Sequence, residues 1–395
     1  MDKIIEQGKQ AFMETYAQFP IVLTGGKGRH VHDHAGKRYL DMVAGIAVNI
    51  FGYGDERLSA ALKAVIDSGM LHCSNLYWNP YAVQAATRLS RLSGMEKVFF
   101  CNSGTEANEG ALKLVRKYGS SKKEGKTDII TMQQSFHGRT YGSMTATGQV
   151  KYQKSFKPLV PGFSYAPFND IGALRAMVTE KTCAIFIEPI QGEGGVIPAT
   201  DEFLVEARAL CDEKDILLVY DEVQCGMGRT GYPFAWQKSK VKPDVMTLAK
   251  ALGGGVPIGA VVADGKAAKV LQPGDHAATF GGNLLAGAAA DCVLERLEDA
   301  TFLSHVQKSS EHLKQELDKL QLRFDAIKEI RGRGLMLGVQ MDRPVRPILD
   351  ACMEAGLILA NAGTDVLRFV PPLTITQDEI DEAVHILSGV LATHL

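Results

Sequence analysis

The chain has 395 residues, 46% hydrophobic and 22% charged, with a formal net charge of −2. That is the composition of a soluble globular enzyme with room for a large core and two lobes, and it offers no electrostatic basis for binding nucleic acid. No apolar run approaches a membrane span, the N-terminus lacks the apolar core of a signal peptide, and seven scattered cysteines point to free thiols in a reducing cytoplasm.

Taken in chain order, Val31-His32-Asp33 and Arg38-Tyr39-Leu40-Asp41 flank the turn Ala35-Gly36-Lys37 and predict a hairpin. Val98-Phe99-Phe100-Cys101 predicts a strand, followed by Asn102-Ser103-Gly104-Thr105 and a helix from about Glu106 to Tyr118. Asp128 to Met132 and Ala184 to Glu188 predict further strands. So do two apolar runs that each deliver a charged residue, Ile216 to Asp221 and Asp244 to Lys250. Strand-like runs alternating with amphipathic stretches predict an α/β fold with a mainly parallel sheet. The polar residues just beyond the strands stand where such sheets place ligands. From Asp291 the texture changes. One long amphipathic stretch runs to about Leu322, followed by strand-like pieces at Gly334 to Val339 and Val366 to Val370. This predicts a smaller α+β domain that the N-terminal segment joins: a large domain over 46–290, and a small one from 1–45 with 291–395.

Several residues carry candidate chemistry. Ser103-Gly104-Thr105-Glu106 stands at a strand-to-helix junction, where backbone N–H groups bind phosphate; taken alone, an ordinary Ser or Thr helix cap is the favoured account. Asp221 has the chemistry to hold a pyridinium nitrogen protonated, and Gln224 to reach a phenolic oxygen; an ion pair or cap at a strand end is the plainer account. Lys250, between Leu248-Ala249 and Gly253-Gly254-Gly255, becomes nucleophilic toward an aldehyde if buried, and is a solvated lysine otherwise. Phe136 offers a stacking face and Arg139 a bidentate clamp for a carboxylate. Glu188 and Glu193 bracket a Gly-rich turn, Arg368 needs a partner if its strand is buried, and Thr279 offers a hydroxyl in a small polar loop. No Cys-x-x-Cys or His-Glu-x-x-His spacing suggests a metal.

Six segments in register extend these readings: NSGTEAN at 102–108, FHGRT at 136–140, EPIQGEGG at 188–195, DEVQCGMGRTG at 221–231, TLAKALGGG at 247–255 and TFGGN at 279–283. Together they closely resemble the class III (subgroup II) pyridoxal-phosphate aminotransferases, from Lys27-Gly28 to Pro371-Pro372. Gly45 to Asn49, His72 to Trp78 and Val98 to Ser103 resemble the acetylornithine aminotransferase subfamily. Ornithine and 4-aminobutyrate aminotransferases match these stretches less well. The resemblance implies the type I fold of pyridoxal-phosphate transferases, like that of aspartate aminotransferase. It implies pyridoxal 5'-phosphate as cofactor, and a homodimer with shared active sites. It gives Lys250 as the Schiff-base lysine and proton shuttle, and Asp221 as partner of the ring nitrogen. Gln224 falls to the phenolic oxygen, while Phe136 and Val223 enclose the ring. Gly104 and Thr105 bind the phosphate, with Thr279 arriving from the other subunit, and Ser103 and Glu222 are grouped with the cofactor-binding residues. Arg139 takes the substrate carboxylate far from the reacting amine. Arg368 takes the α-carboxylate of glutamate or 2-oxoglutarate, and Glu193 covers it when an ω-amine is bound. Tyr16 falls where related enzymes have a tyrosine near substrate.

Two positions depart from the family pattern. Ala278 replaces the usual Ser or Thr before Thr279, and Leu284 replaces a proline. The implied activity is transfer of the δ-amine of N2-acetyl-L-ornithine to 2-oxoglutarate in arginine biosynthesis. The alternatives are an ornithine, succinyl-diaminopimelate or 4-aminobutyrate aminotransferase. From a different class, a non-catalytic regulator on this fold would need a lost lysine or an added nucleic-acid-binding domain.

Overall fold

The apolar runs form the strands of one seven-stranded sheet in a computed structural model that describes residues 3–394; Met1, Asp2 and Leu395 lie outside the described residues. Across the sheet the order is Lys97–Cys101, Gly259–Ala263, Val245–Leu248, Leu217–Asp221, Thr182–Ile187, Asp128–Met132 and Phe163–Ala166. Gly259–Ala263 runs antiparallel to both neighbours, and every other pairing is parallel. Every residue of Thr182–Ile187, Leu217–Asp221 and Val245–Leu248 is buried. Helices cover both faces, which is why these strands read as continuous apolar runs rather than alternating ones. Helix Gly104–Lys122 packs Ala107, Ala111 and Val115 against one face, and Asp201–Glu213 packs Phe203, Leu204 and Leu210 against the other.

The amphipathic stretch expected from Asp291 to Leu322 is two helices, Leu284–Leu297 and Ala300–Arg323. Asp299 makes the break: its carboxylate accepts from the Thr301 amide and caps the second helix. The first helix is Ala-rich and packs on Glu56–Asp67 and Pro80–Ser93, so position 290 lies inside it. The hairpin forms as expected, His30–Asp33 against Arg38–Asp41 with His30 opposite Leu40. Leu357–Ile358 extends that sheet by pairing in parallel with Leu40 and Asp41, so the N-terminal strands share a sheet with a C-terminal one. A second, antiparallel sheet contains Ile327–Arg333, Met336–Met341, Val366–Phe369 and Ala360–Ala362. One apolar core continues from Met246 and Leu248 of the large sheet to Leu313, Leu367 and Leu387. Among the described residues no helix is long and apolar enough to cross a membrane.

A left-handed turn follows the hairpin. Ala44, Gly45, Ile46 and Ala47 all have positive φ, at 51°, 64°, 66° and 62°. Such a conformation costs roughly 1–2 kcal/mol for each residue with a Cβ, so something must hold it. Asp41 does: Oδ1 accepts from the Val43 and Ala44 amides at 2.8 and 3.0 Å, and Oδ2 accepts from the Tyr53 hydroxyl at 2.6 Å. The turn brings Val48 to the wall of the main cavity.

Candidate active site

A cavity of about 440 Å³ opens beyond the C-terminal ends of the parallel strands. Ser103, Gly104, Thr105, Phe136, Arg139, Asp221, Val223, Gln224 and Lys250 all line it. Residues spread over nearly 150 positions meet there because each follows a strand of the same sheet.

At one end is the start of helix Gly104–Lys122. The Ser103 side chain accepts from the Glu106 amide, and Glu106 reaches back to the Asn102 amide at 2.6 Å. The capping account of Ser103 is therefore right for its hydroxyl, while the helix still presents its N-terminal dipole to the cavity. Thr105 Oγ1 lies 2.8 Å from Thr140 Oγ1 and accepts from the Arg139 and Thr140 amides, each at 3.3 Å. Gly138, at φ 136°, permits this: a Cβ there would lie 2.3 Å from Thr105 Oγ1. Gly104 is equally confined, since a Cβ would meet Val223 Cγ1 at 2.8 Å.

Asp221 ends its strand inside a buried network. Oδ2 accepts from His137 Nδ1 and from Asn108 Nδ2, both at 2.8 Å, and Oδ1 accepts from the Val223 amide at 3.0 Å. The His137 ring is fully buried, with its edge against Phe186. Sequence reasoning quoted Asn108 and His137 within their segments but gave them no role. Their signal was position: a polar residue one helical turn into Gly104–Lys122, and a histidine beside Phe136. Glu188 is a third buried group here, accepting from the Phe136 amide at 2.9 Å and the Gly192 amide at 3.3 Å. Burial, with Asp221 nearby, raises its carboxyl well above the ordinary range.

Lys250 follows the strand Val245–Leu248 and takes a left-handed backbone at φ 45°. Burial lowers its ammonium pKa. Glu193 opposes that shift, and Arg368 adds to it. A lysine held in this way is biased toward the neutral, nucleophilic amine. Arg368, 2% exposed on strand Val366–Phe369, donates from Nη1 to Glu193 and, at 3.1 Å, to Gln224 Oε1. Its Nε is buried without a partner. Glu193 is pushed up by burial, but the Arg368 charge and hydrogen bond outweigh this and hold it below the ordinary carboxylate range.

Arg139 has its guanidinium carbon 4.1 Å from the Tyr152 ring centroid and 5.7 Å from that of Phe136. Among the described residues it forms no ion pair.

Five expected residues do not line the cavity: Glu193 and Arg368 connect to it through Gln224, and three others lie elsewhere in this chain. Glu222 corrects the sequence reading: it is the first residue past the strand Leu217–Asp221 and does not line the cavity. Its carboxylate accepts from the Ala235 and Trp236 amides at 2.7 and 2.8 Å, and burial raises its pKa to about 8. Thr279 is exposed and lines a different depression with Asn75, Leu76 and Ala278. Tyr16 is 78% exposed and does not line the cavity.

The model of the family described as "Aminotransferase class-III" matches residues 11–391. The chain belongs to the class III aminotransferases. The acetylornithine aminotransferase of Caldanaerobacter subterraneus subsp. tengcongensis is 50% identical over 391 residues, 98% of this chain and 99% of that one. Among solved structures, N-acetylornithine aminotransferase from Stenotrophomonas maltophilia is 40% identical with a TM-score of 0.85, covering 98% of each chain. Ornithine aminotransferase from Toxoplasma gondii is 32% identical with a TM-score of 0.92, covering 99% of this chain and 94% of that one. The fold is therefore the type I fold of pyridoxal-phosphate transferases expected from the sequence, and the chain is a pyridoxal-phosphate-dependent transaminase.

The cavity fits that cofactor. It offers a buried lysine for the aldehyde, a triply hydrogen-bonded carboxylate for a pyridinium nitrogen, and a helix N-terminus with a threonine hydroxyl for a phosphate. Phe136 and Val223 provide apolar walls.

Proposed function

We propose that the chain transfers the δ-amine of N2-acetyl-L-ornithine to 2-oxoglutarate, giving N-acetyl-L-glutamate 5-semialdehyde and L-glutamate in arginine biosynthesis. The observation that carries this reading is the pair of arginines near Lys250, one covered by Glu193 and one open. Bound pyridoxal phosphate supplies an electron sink for the carbon that bears the migrating amine. Asp221, held in place by Asn108 and His137, is the carboxylate that would meet the ring nitrogen. Lys250, the buried amine of the cavity, would bind the cofactor's aldehyde and is the residue placed to carry a proton. Arg139 takes the substrate carboxylate remote from the amine, with Tyr152 and Phe136 backing its guanidinium.

The first substrate has a single carboxylate and the second has two. While Glu193 binds Arg368, the second cation is masked and an ω-amine enters without competition from an α-carboxylate. When Glu193 swings away, Arg368 becomes available for the α-carboxylate of 2-oxoglutarate. The identities favour this assignment over ornithine as donor, because the solved acetylornithine enzyme is closer in sequence than the ornithine enzyme. The higher TM-score of the latter reports a shared fold, which all these substrates have in common. Comparing kcat/KM for N-acetylornithine, ornithine, N-succinyl-diaminopimelate and 4-aminobutyrate tests the reading. A preference for any donor other than N-acetylornithine overturns it.

The working unit in this reading is a cytoplasmic homodimer, with no nucleic acid or membrane partner. All seven cysteines are free. Leu76 and Trp78 are 87% and 93% exposed beside the depression that holds Thr279, an apolar face that a second copy would cover. Thr279 would then complete the partner's phosphate site, and Ala278 would bring no hydroxyl there. Equilibrium sedimentation showing a monomer at micromolar concentration refutes this part.

A further inference from the structure

Arg229 is the largest fully buried side chain of the protein, 1% exposed, and nothing in the cavity uses it. It lies in the DEVQCGMGRTG segment, eight residues after Asp221. Its Nη1 donates to the carbonyls of Leu335, at 3.1 Å, and Pro371, while Nε and Nη2 are buried without partners. The Arg229 carbonyl accepts in turn from the Leu335 amide at 2.9 Å. Gly334 allows that approach, since a Cβ there would lie 2.4 Å from the Arg229 carbonyl. Burial lowers the pKa of the guanidinium to about 9, against an opposing pull from Asp41, so it remains charged at neutral pH.

Burying a guanidinium is costly, and side chains of similar volume without charge commonly serve stability as well. The geometry offers another use. Pro371 is three residues beyond Arg368, and the intervening Val370 amide is tied to the Met42 carbonyl at 2.9 Å. Arg229 thus joins the loop that follows Asp221 and carries Gln224 to the end of the strand carrying Arg368.

We infer that Arg229 is a positioning residue: it sets where Arg368 stands relative to Gln224 and Glu193, and so tunes binding of the second carboxylate of a dicarboxylate substrate. This rests on the reading of Arg368 as that carboxylate's site. A misplacement of about 1 Å in a substrate clamp can cost up to about 100-fold.

The experiment measures glutarate, an unreactive dicarboxylate, by calorimetric titration of the holoenzyme, together with KM for 2-oxoglutarate and kcat/KM for the ω-amine donor. Arg229→Lys is expected to raise the glutarate Kd and the 2-oxoglutarate KM by about 10- to 100-fold, with the donor kcat/KM changed by less than about 3-fold. In an Arg368→Ala background the Arg229→Lys effect on glutarate should vanish. Gly334→Ala, which crowds the Arg229 carbonyl while keeping the guanidinium, gives a second route to the same turn if Arg229→Lys does not fold. Equal losses for donor and dicarboxylate, or an undiminished effect in the Arg368→Ala background, overturn the inference and leave Arg229 structural. Glutarate binding untouched by Arg368→Ala alone would instead refute the underlying reading of Arg368.

Discussion

Glu193→Gln separates the two halves of the reaction. In the structure Arg368 is almost completely buried and shares Nη1 between Glu193 and Gln224. A hydrogen bond to a charged group contributes about 1.5–3 kcal/mol, and a neutral one about 1 kcal/mol. Glutamine keeps the shape and one hydrogen bond but removes the carboxylate's charge, so roughly 0.5–2 kcal/mol of the closed state is lost. Because 1.4 kcal/mol is tenfold in an equilibrium, Arg368 should be free about 2- to 30-fold more often. The dicarboxylate no longer has to displace a carboxylate, so kcat/KM for 2-oxoglutarate should rise or hold. The ω-amine loses the mask that kept Arg368 from competing for its carboxylate, so kcat/KM for the donor should fall. The ratio of acceptor to donor kcat/KM is expected to rise by about 2- to 30-fold.

Single-turnover absorbance of the bound cofactor follows each half separately. Gln224 still accepts from Arg368, so the guanidinium is not stranded and the fold should survive with a small drop in Tm. Two outcomes refute the reasoning. If the ratio does not move, Glu193 does not gate Arg368. If both halves fall by the same factor, the substitution has disturbed the cofactor site rather than the switch.

Lys250→Ala should abolish turnover and shift the absorbance of the bound cofactor; persistent turnover would sink the assignment of Lys250. Gly138→Ala places a Cβ 2.3 Å from Thr105 Oγ1 at a φ of 136°, so the cofactor Kd should rise by at least about 10-fold, the loss of one charge-assisted hydrogen bond; an unchanged titration refutes the role of Thr105. Glu222→Gln tests a buried acid. Its folded pKa of about 8 lies above the ordinary 4.5, so its contribution to stability is complete below about 4.5 and is lost as pH rises toward 8. Urea unfolding at several pH values should show the wild type losing stability across that window relative to the variant; parallel curves refute the raised pKa.

Much of the fold was legible because burial writes itself into composition. The runs at 128–132, 184–188, 216–221 and 244–248 are apolar because helices cover both faces of the sheet, and each became a strand. The segment from Asp291 misled because its apolar period does not break at Asp299, and only the cap does. In the site, Lys250 and Asp221 were legible as charges ending apolar runs. Glu222 was misassigned because a motif read as a string does not show that its carboxylate is taken up by the Ala235 and Trp236 amides. Asn108 and His137 were missed for a similar reason. Their role is a hydrogen bond across about 113 and 84 residues to Asp221, and no local pattern encodes it. Thr279 and Tyr16 are exposed and do not line the cavity this chain folds around, and no local pattern shows that.

The strained backbone shows where this sequence gives up stability for placement. Lys250 holds φ 45° at the end of its strand, and Ala44, Ile46 and Ala47 hold positive φ in the turn that sets Val48 on the cavity wall. None of these has glycine's freedom, and each is clamped by a buried network: Asp41 with Tyr53 under the turn, and the sheet under Lys250. Strain that survives only under such clamping belongs to the site rather than to the fold. The two strained segments divide the labour. Lys250 with Asp221 supplies chemistry that every member of the family needs. Val48, on the turn, and Arg139 line the cavity beside that chemistry, and Glu193 and Arg368 meet each other behind Gln224. Relaxing the turn with Ile46→Gly should therefore alter the ranking of donor amines while leaving the cofactor's affinity in place.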